Sequence, residues 1–238
     1  MPNYNGANSI EESIKSFLDN EYMNKELIII DGKSVDDSHS IIKEYSEQFN
    51  CIKWINISDK GISDAINMGL DATDGKVVGY LGSDDLLNKE TLFKINEYKN
   101  VVDFDGIYFD SYTYYIDKKI IQLRKCPNIS FDRINLIKFG TIVGLQNIFF
   151  DRKVFQEIRY DIENKYSMDY EIYFRIIKEF QSFMYVEYPA TINKFSNNIS
   201  YKLSKIQTKE ALSVMFRNIK FSEFKYLPFR RIFNSYVR

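Results

Sequence analysis

Three short apolar runs, Glu26-Leu27-Ile28-Ile29-Ile30, Ile52 to Ile57 and Lys76 to Leu81, recur along the first part of the chain with helix-patterned stretches between them. Strand and helix alternating at that interval restrict the fold to βαβ units around a mainly parallel sheet flanked by helices. The first run is β-branched and unbroken, as in a parallel strand covered on both faces. Ile10, Ile14, Phe17 and Leu18 follow helical spacing behind Ser9-Ile10-Glu11-Glu12, which reads as a capping box. Ser34 to Phe49 predicts a second helix with Ile41, Ile42, Tyr45 and Phe49 turned inward. Gly61 to Leu70 predicts a third, with Ile62, Ile66 and Leu70 on one side.

The second half is less regular. Gly106 to Leu123 predicts two strands around Asp117-Lys118-Lys119, and Asn147 to Phe150 a further strand followed by a helix from about Arg152. Asp169 to Phe180 predicts a helix, with Ile172, Ile176 and Phe180 at i, i+4 and i+8. With no internal repeat and no convincing linker, the expectation is an α/β domain over residues 1–200 and a C-terminal helical extension over 201–238.

Charge is near balance overall, at −1, but unevenly placed. From Tyr201 to Arg238 nine Lys or Arg stand against two Glu, so this end carries +7 and the preceding part −8. Phe216, Phe221, Phe224, Tyr226, Phe229, Phe233 and Tyr236 are interleaved with those cations. Such a tail suits the anionic cytoplasmic face of a membrane, and serves equally as a helix packed on the domain with a solvated basic face. The acidic remainder and the lack of a binding motif exclude a nucleic-acid partner. Two cysteines, Cys51 and Cys126, lie outside any metal-ligand spacing and fit a reducing cytoplasm. No run of about 18 apolar residues marks a membrane span, and no signal peptide is legible.

The most informative motif is Gly82-Ser83-Asp84-Asp85, directly after the apolar Val77 to Leu81. Adjacent carboxylates at the end of a buried strand are costly unless a positive partner sits beside them. A divalent cation bridging to a ligand's phosphates is a common such partner for hard oxygen donors. Ligands in open α/β sheets bind at the carboxyl ends of strands. Two further polar segments fall at that edge, Pro2-Asn3-Tyr4-Asn5-Gly6-Ala7 and Asp31-Gly32-Lys33-Ser34. If the first, second and fourth strands are neighbours, the three loops meet in one crevice. There Asp31 would accept hydrogen bonds from a base or ribose, Tyr4 would stack on the base, Asp84 would contact the ribose and Asp85 would ligate the metal. Asp31-Gly32 serves equally as a turn, and Ser83-Asp84-Asp85 as a helix cap.

Taken in order, Tyr4-Asn5-Gly6, Ile28 to Ser34, Asp59 to Gly69, Gly82 to Asp85 and Met168-Asp169-Tyr170-Glu171 resemble the family 2 inverting glycosyltransferases, which have a Rossmann-like GT-A fold. The resemblance implies transfer of a hexose from a UDP-sugar, UDP-galactose or UDP-glucose by family habit, with Mn2+ or Mg2+ as cofactor. It implies a polyprenyl-diphosphate-linked sugar acceptor, as in O-antigen or capsule synthesis, and a peripheral position at the inner face of the cell membrane. Asp169 falls at the family's catalytic-base position, although a first-turn acid also favours a helix dipole. Lys60 and Asp64 lie in the segment that similar enzymes place beside the donor, to meet a phosphate and a sugar hydroxyl. Gln146 matches the Gln of a His-Gln pair near the acceptor, with Leu145 in place of the His. The lone histidine, His39, reads as solvated.

Members of that family carry about six apolar residues before the Tyr-Asn, where this chain has Met1-Pro2-Asn3. The expectation is a start upstream of Met1, and weak stability for the sequence as written, because a missing central strand strands its neighbours' backbone groups. Two rival readings are a non-catalytic nucleotide-sugar-binding protein or inactive fragment, and a nucleotidyltransferase. The latter calls for a Gly-rich basic phosphate loop, and Asn3 to Asn8 holds one Gly and no Lys or Arg.

Overall fold

The computed structural model describes residues 1–195 and 200–227. In chain order the first half runs β1 (Pro2–Asn3), α1 (Ile10–Leu18), β2 (Leu27–Asp31), α2 (Ser38–Gln48), β3 (Ile52–Asn56), α3 (Ile62–Ala72), β4 (Val77–Gly79), β5 (Leu86–Leu87) and α4 (Thr91–Val101). The second half runs β6 (Gly106–Tyr115), β7 (Ile120–Arg124), α5 (Arg133–Phe139), β8 (Ile148–Asp151), α6 (Met168–Glu179), β9 (Phe183–Phe195) and α7 (Ser200–Asn218).

The strands form two sheets. β1, β2 and β3 are parallel neighbours in that order, with Ile30 opposite Pro2 and Ile55. The second sheet has the order β4-β8-β6-β9-β5, with β7 paired to β6 at the side. It is mixed: β6 and β9 are parallel, and the remaining ladders are antiparallel. The parallel character read from the first half thus belongs to the three-stranded sheet. β4 pairs with β8 and with neither β1 nor β2. Gly79 is required where β4 meets β8, because a Cβ there would lie 2.3 Å from the Phe149 ring.

The period-two alternation of the strands divides two cores. Phe109 and Phe149 face a core with Ile10, Ile14, Ile29, Ile42 and Ile95, where α1, α2 and α4 pack. Their neighbours Tyr108 and Phe150 face the other, with Leu136, Ile172, Tyr173 and Ile176 from α5 and α6. Ile10 and Ile14 are fully buried, and each such side chain contributes about 1.5–3 kcal/mol.

Several expectations are corrected. Ser9 precedes α1 without a side-chain cap bond, so the capping box does not form. Glu12 pairs instead with Lys194. The helix expected after Arg152 is one 3-10 turn, Arg152–Phe155. α4 was not legible, since Thr91 and Ile95 are its buried residues while Phe93 is exposed. The C-terminal part packs firmly: Val214, Met215 and Leu227 join the second core, and Glu223 pairs with Arg133 at 3.0 Å. Phe229, Phe233 and Tyr236 lie outside the described residues.

At the other end, the Met1 amine donates to the Ile28 carbonyl at 2.8 Å, continuing the β1–β2 ladder. Burial pushes that amine down to about 5.

Candidate functional site

The loops after β1 and β2 are stitched together by short polar side chains. The Asn3 amide donates to the Asp31 carboxylate at 2.8 Å and to the Ser34 and Ser38 hydroxyls at 3.2 Å each. The Ser34 hydroxyl also donates to Asp31 and accepts from the Asn5 N–H at 2.9 Å. Asp31 is fully buried within this knot, which holds the loops rather than projecting into solvent. The carboxylate that reaches the loop surface is Asp59. Its Oδ2 lies 2.6 Å from where a Gly32 Cβ would stand, with the Tyr4 ring 3.5 Å from the same point. Tyr4 is 69% exposed. An open aromatic face beside an acidic acceptor and a glycine makes a cradle for a flat, hydrogen-bonding ring. Asp59 opens the segment expected beside the donor, where the expectation rested on Lys60 and Asp64 instead.

Asp84 and Asp85 arrive on the turn after β4, and both carboxylates fold back over Gly82. A Cβ on Gly82 would lie 2.8 Å from Asp85 Oδ2 and 2.9 Å from Asp84 Oδ1. α1 fixes this turn: the Ser13 hydroxyl donates to the Asp85 carbonyl at 2.5 Å, and the Leu87 N–H donates to the Ser16 hydroxyl at 3.0 Å. Gly6 brings the first loop alongside, 3.3 Å from the Ser83 hydroxyl by the same measure. Asp84 is exposed and Asp85 half-buried. Burial first, then the charge of Asp84, pushes the Asp85 carboxyl up to about 7, against a hydrogen bond from the Lys194 backbone. Such a carboxylate lacks a sufficient positive partner.

The Asp59-Lys60-Gly61 turn is held by its own acids. Asp64 accepts from the Lys60 N–H at 2.9 Å and Asp59 from the Gly61 N–H at 2.8 Å. Gly61 has φ +119°, a conformation open to glycine. Lys60 is exposed.

α3 then positions the second acidic group. Asn67 exchanges two hydrogen bonds with the Tyr160 backbone, each 2.9 Å, and the Ser63 hydroxyl donates to the Asn164 carbonyl at 3.1 Å. From the far side, Glu210 of α7 accepts the N–H groups of Lys165, Tyr166 and Ser167 at 3.0, 2.6 and 2.6 Å. The next residue but one is Asp169, in the first turn of α6. Its carboxylate is held by the Tyr170 N–H at 2.8 Å and by the Thr141 hydroxyl. Burial raises its pKa. Gln146 sits half-buried on the turn before β8, beside Gly144. Glu210 and Asn67 were missed as positioning residues because nothing local in sequence links them to residue 160 or 165.

Asn67→Ala is expected to unlatch this segment. Two backbone groups at Tyr160 lose their partner, so unfolding by urea should show a loss of about 1–3 kcal/mol.

Two tyrosine hydroxyls feel the acidic groups. The Tyr80 hydroxyl is raised by burial and by the charges of Asp85 and Asp84. That of Tyr160 is raised by burial, by the charge of Asp169 and by Tyr80. Tyr80 and Tyr160 line one cavity.

Among the described residues no three His, Cys, Asp or Glu side chains converge as a metal cage. A Mg2+-type ion needs no such cage when one or two carboxylates and substrate phosphates complete its shell. The underpaired Asp85, with Asp84 beside it, fits that donor set.

Comparison with known proteins gives the family and the fold. The profile of Glycosyl transferase family 2 matches residues 1–159, and the chain belongs to that family. The Escherichia coli UDP-Glc:alpha-D-GlcNAc-diphosphoundecaprenol beta-1,3-glucosyltransferase WfaP is 27% identical over 180 residues, covering 74% of this chain and 68% of WfaP. The Bacillus subtilis minor teichoic acid biosynthesis protein GgaB is 32% identical over 114 residues, 45% of this chain and 13% of GgaB. Against Streptococcus pneumoniae glycosyltransferase GlyA, 30% identity extends over 106 residues, 44% of this chain and 15% of that protein. The chain thus spans a small part of several curated relatives. Staphylococcus aureus TarS 1–349 with UDP superposes with a TM-score of 0.66 at 16% identity, over 88% of this chain and 63% of TarS 1–349. Mycobacterium tuberculosis glucosyl-3-phosphoglycerate synthase with Mn2+ and UDP gives 0.63 at 13%, over 91% and 77%. The fold is the GT-A fold of these enzymes.

Proposed function

We propose that this protein transfers a hexose, with inversion and with help from a divalent cation, from a UDP-sugar to a lipid-diphosphate-linked sugar in the synthesis of a bacterial surface polysaccharide. The observation that carries the reading is the pair of carboxylates, Asp84 and Asp85, folded together over Gly82 with the first loop at Gly6 alongside Ser83. Tyr4 stacks on the uracil, with Asp59 reading its edge and Asp31 holding the loop that carries Gly32. Asp84 takes the ribose, Lys60 a phosphate oxygen and Asp64 the sugar side of the loop. Asp85 would hold Mn2+ or Mg2+, which when bound would neutralise the charge gathering on the departing diphosphate. The acceptor hydroxyl attacks the anomeric carbon from the face opposite UDP. Its proton passes to Asp169, the bond from the anomeric carbon to the diphosphate oxygen breaks, and UDP leaves with the bonding pair. Gln146 lines the acceptor side.

WfaP, by its name, uses UDP-glucose and a diphosphoundecaprenol-linked GlcNAc, and that pair supports UDP-glucose as the first donor to test. The test is a panel of UDP-sugars with Mn2+ or Mg2+ and a synthetic lipid-diphosphate GlcNAc. A new inverted linkage seen by NMR supports the reading. Absence of UDP release with every donor contradicts it and leaves a non-catalytic binding protein.

We place this work at the cytoplasmic face of the membrane. No helix among the described residues is long and apolar enough to cross a bilayer. Phe221 is 92% exposed, with Phe216 and Phe224 exposed nearby and Lys220 and Lys225 directly beside Phe221 and Phe224 in sequence. Deleting everything after Ser200 would strip Val214 and Met215 from the core, so point variants are the sound probe. Replacing Phe221 and Lys225 by Ser is expected to weaken binding to phosphatidylglycerol vesicles about tenfold or more at low salt. Unchanged partitioning contradicts this placement.

A further inference from the structure

The outer half of the β6–β7 hairpin stands clear of both cores. From Tyr112 to Lys125 no residue is buried, and every residue of β7 is exposed. β7 pairs with β6 alone, so its outer edge is open among the described residues. Register sorts the side chains. Tyr112 stands opposite Leu123 and Ile192, and Tyr114 opposite Ile121 and Lys194, which puts these residues on one face. Ile121 is 54% and Leu123 42% exposed, with the half-buried tyrosines beside them. Lys194 is the one charge in that set, and Glu12 pairs with it. Ile120, Gln122 and Arg124 take the opposite face. Around the hairpin the cations Lys118, Lys119, Arg124 and Lys125 stand against a single acid, Asp117. Lys125 pairs with Glu187. Lys118 and Arg124 rest on the Tyr115 ring, and among the described residues neither they nor Lys119 pair with a carboxylate.

We propose that the Ile121–Leu123 face of this hairpin is a docking surface for an anionic lipid bilayer. Aliphatic side chains at the centre, tyrosines beside them and unpaired cations at the tip suit a surface lying in the headgroup layer. Ile121 and Leu123 enter the acyl boundary, and Lys118 and Lys119 meet lipid phosphates. Charge favours this occupant over a second copy. Two β7 edges paired antiparallel about Gln122 would set Lys119 of each copy against Lys125 of the other, a repulsive register. The hairpin is separate in sequence from the C-terminal aromatic patch, and it adjoins both acidic groups. The N–H of Lys194, opposite Tyr114, donates to Asp85. Just past β7, the Cys126 thiol reaches the Ile142 carbonyl at 3.7 Å, next to Thr141, which holds Asp169. Lipid therefore lies where a lipid-linked acceptor enters, a step that rests on the proposed function.

The test is sedimentation of the full chain with phosphatidylglycerol or phosphatidylcholine vesicles at low salt. Replacing Ile121 and Leu123 by Ser is expected to weaken binding to phosphatidylglycerol about tenfold or more. Replacing Lys118 and Lys119 by Gln should weaken it about fivefold or more, and on that lipid alone. Ile120→Ser, 53% exposed on the opposite face, leaves binding unchanged. The substituted side chains are exposed, so the fold stays intact, as an unchanged Tm would show. Full binding by the Ile121 and Leu123 variant, or an equal loss with Ile120→Ser, overturns the proposal. So does a change from dimer to monomer in place of lost vesicle binding, which would assign the face to a second copy. The readout needs no turnover: a chain that binds vesicles through this face and releases no UDP supports this inference and contradicts only the transfer reaction.

Discussion

Asp85→Asn is expected to abolish sugar transfer while leaving the fold as stable as before or more so. The substitution keeps the side-chain volume and removes one charge. That charge is held in a half-buried turn beside Asp84, with its pKa pushed up to about 7. In the unliganded protein it is an electrostatic burden worth on the order of a few kcal/mol. Relief of that burden should raise Tm at pH 7 in the absence of metal. In the proposed function the same charge anchors the cation against the diphosphate, and losing such stabilisation of a developing anion costs about 10²–10³-fold or more in rate. A variant that is more stable, inactive and no longer stabilised by Mn2+ with UDP is the combined outcome, read by thermal shift and a UDP-release assay. Such residues are stability sacrificed to function. An active variant, or a less stable one, contradicts the role.

Asp169→Asn is expected to separate binding from chemistry. The Tyr170 N–H and the Thr141 hydroxyl that hold the carboxylate find an acceptor oxygen in the amide as well. α6 and the segment latched by Asn67 and Glu210 should therefore stay in place. In the proposed function what is lost is the proton acceptor, and general-base catalysis of this kind accounts for about 10²–10⁴-fold. The measurement is kcat against the affinity for UDP by calorimetry. A large fall in kcat with UDP affinity within about twofold, below the cost of a single lost hydrogen bond, fits the role. Burial raises the pKa of Asp169, which makes it a better proton acceptor than a solvated aspartate and matches that task. Equal losses in both quantities would make Asp169 a structural residue of the helix start.

How far the sequence carries can be read from particular residues. The β-branched run at Ile28 to Ile30 and the spacing of Ile10 and Ile14 are local signals, and β2 and α1 stand where they predict. Asp84 and Asp85 sit at a strand end because the apolar residues before them leave the chain little choice. The mixed second sheet was not legible, since β6 pairs with β9 across more than seventy residues and no local pattern encodes that partner. Nor was the knot at Asp31 legible. The aspartate reads as a ligand until Asn3 and Ser34 are seen to occupy it, and then Asp59, half-buried close beside Gly32, becomes the more open acceptor. Glu12 satisfies every sequence rule for a capping box, but Lys194 claims it. A tertiary ion pair won over a local motif. The C-terminal region reads as an appendage by its charge, yet Glu210 tethers the backbone that leads into Asp169.

The most direct trial of the whole account is a crystal structure with UDP-glucose and Mn2+ bound, collected at the manganese edge. The anomalous peak should lie between the Asp85 carboxylate and the diphosphate, with the Asp169 carboxylate on the far face of the sugar ring from UDP. A nucleotide seated away from Gly82, or a sugar whose open face looks away from Asp169, would contradict it.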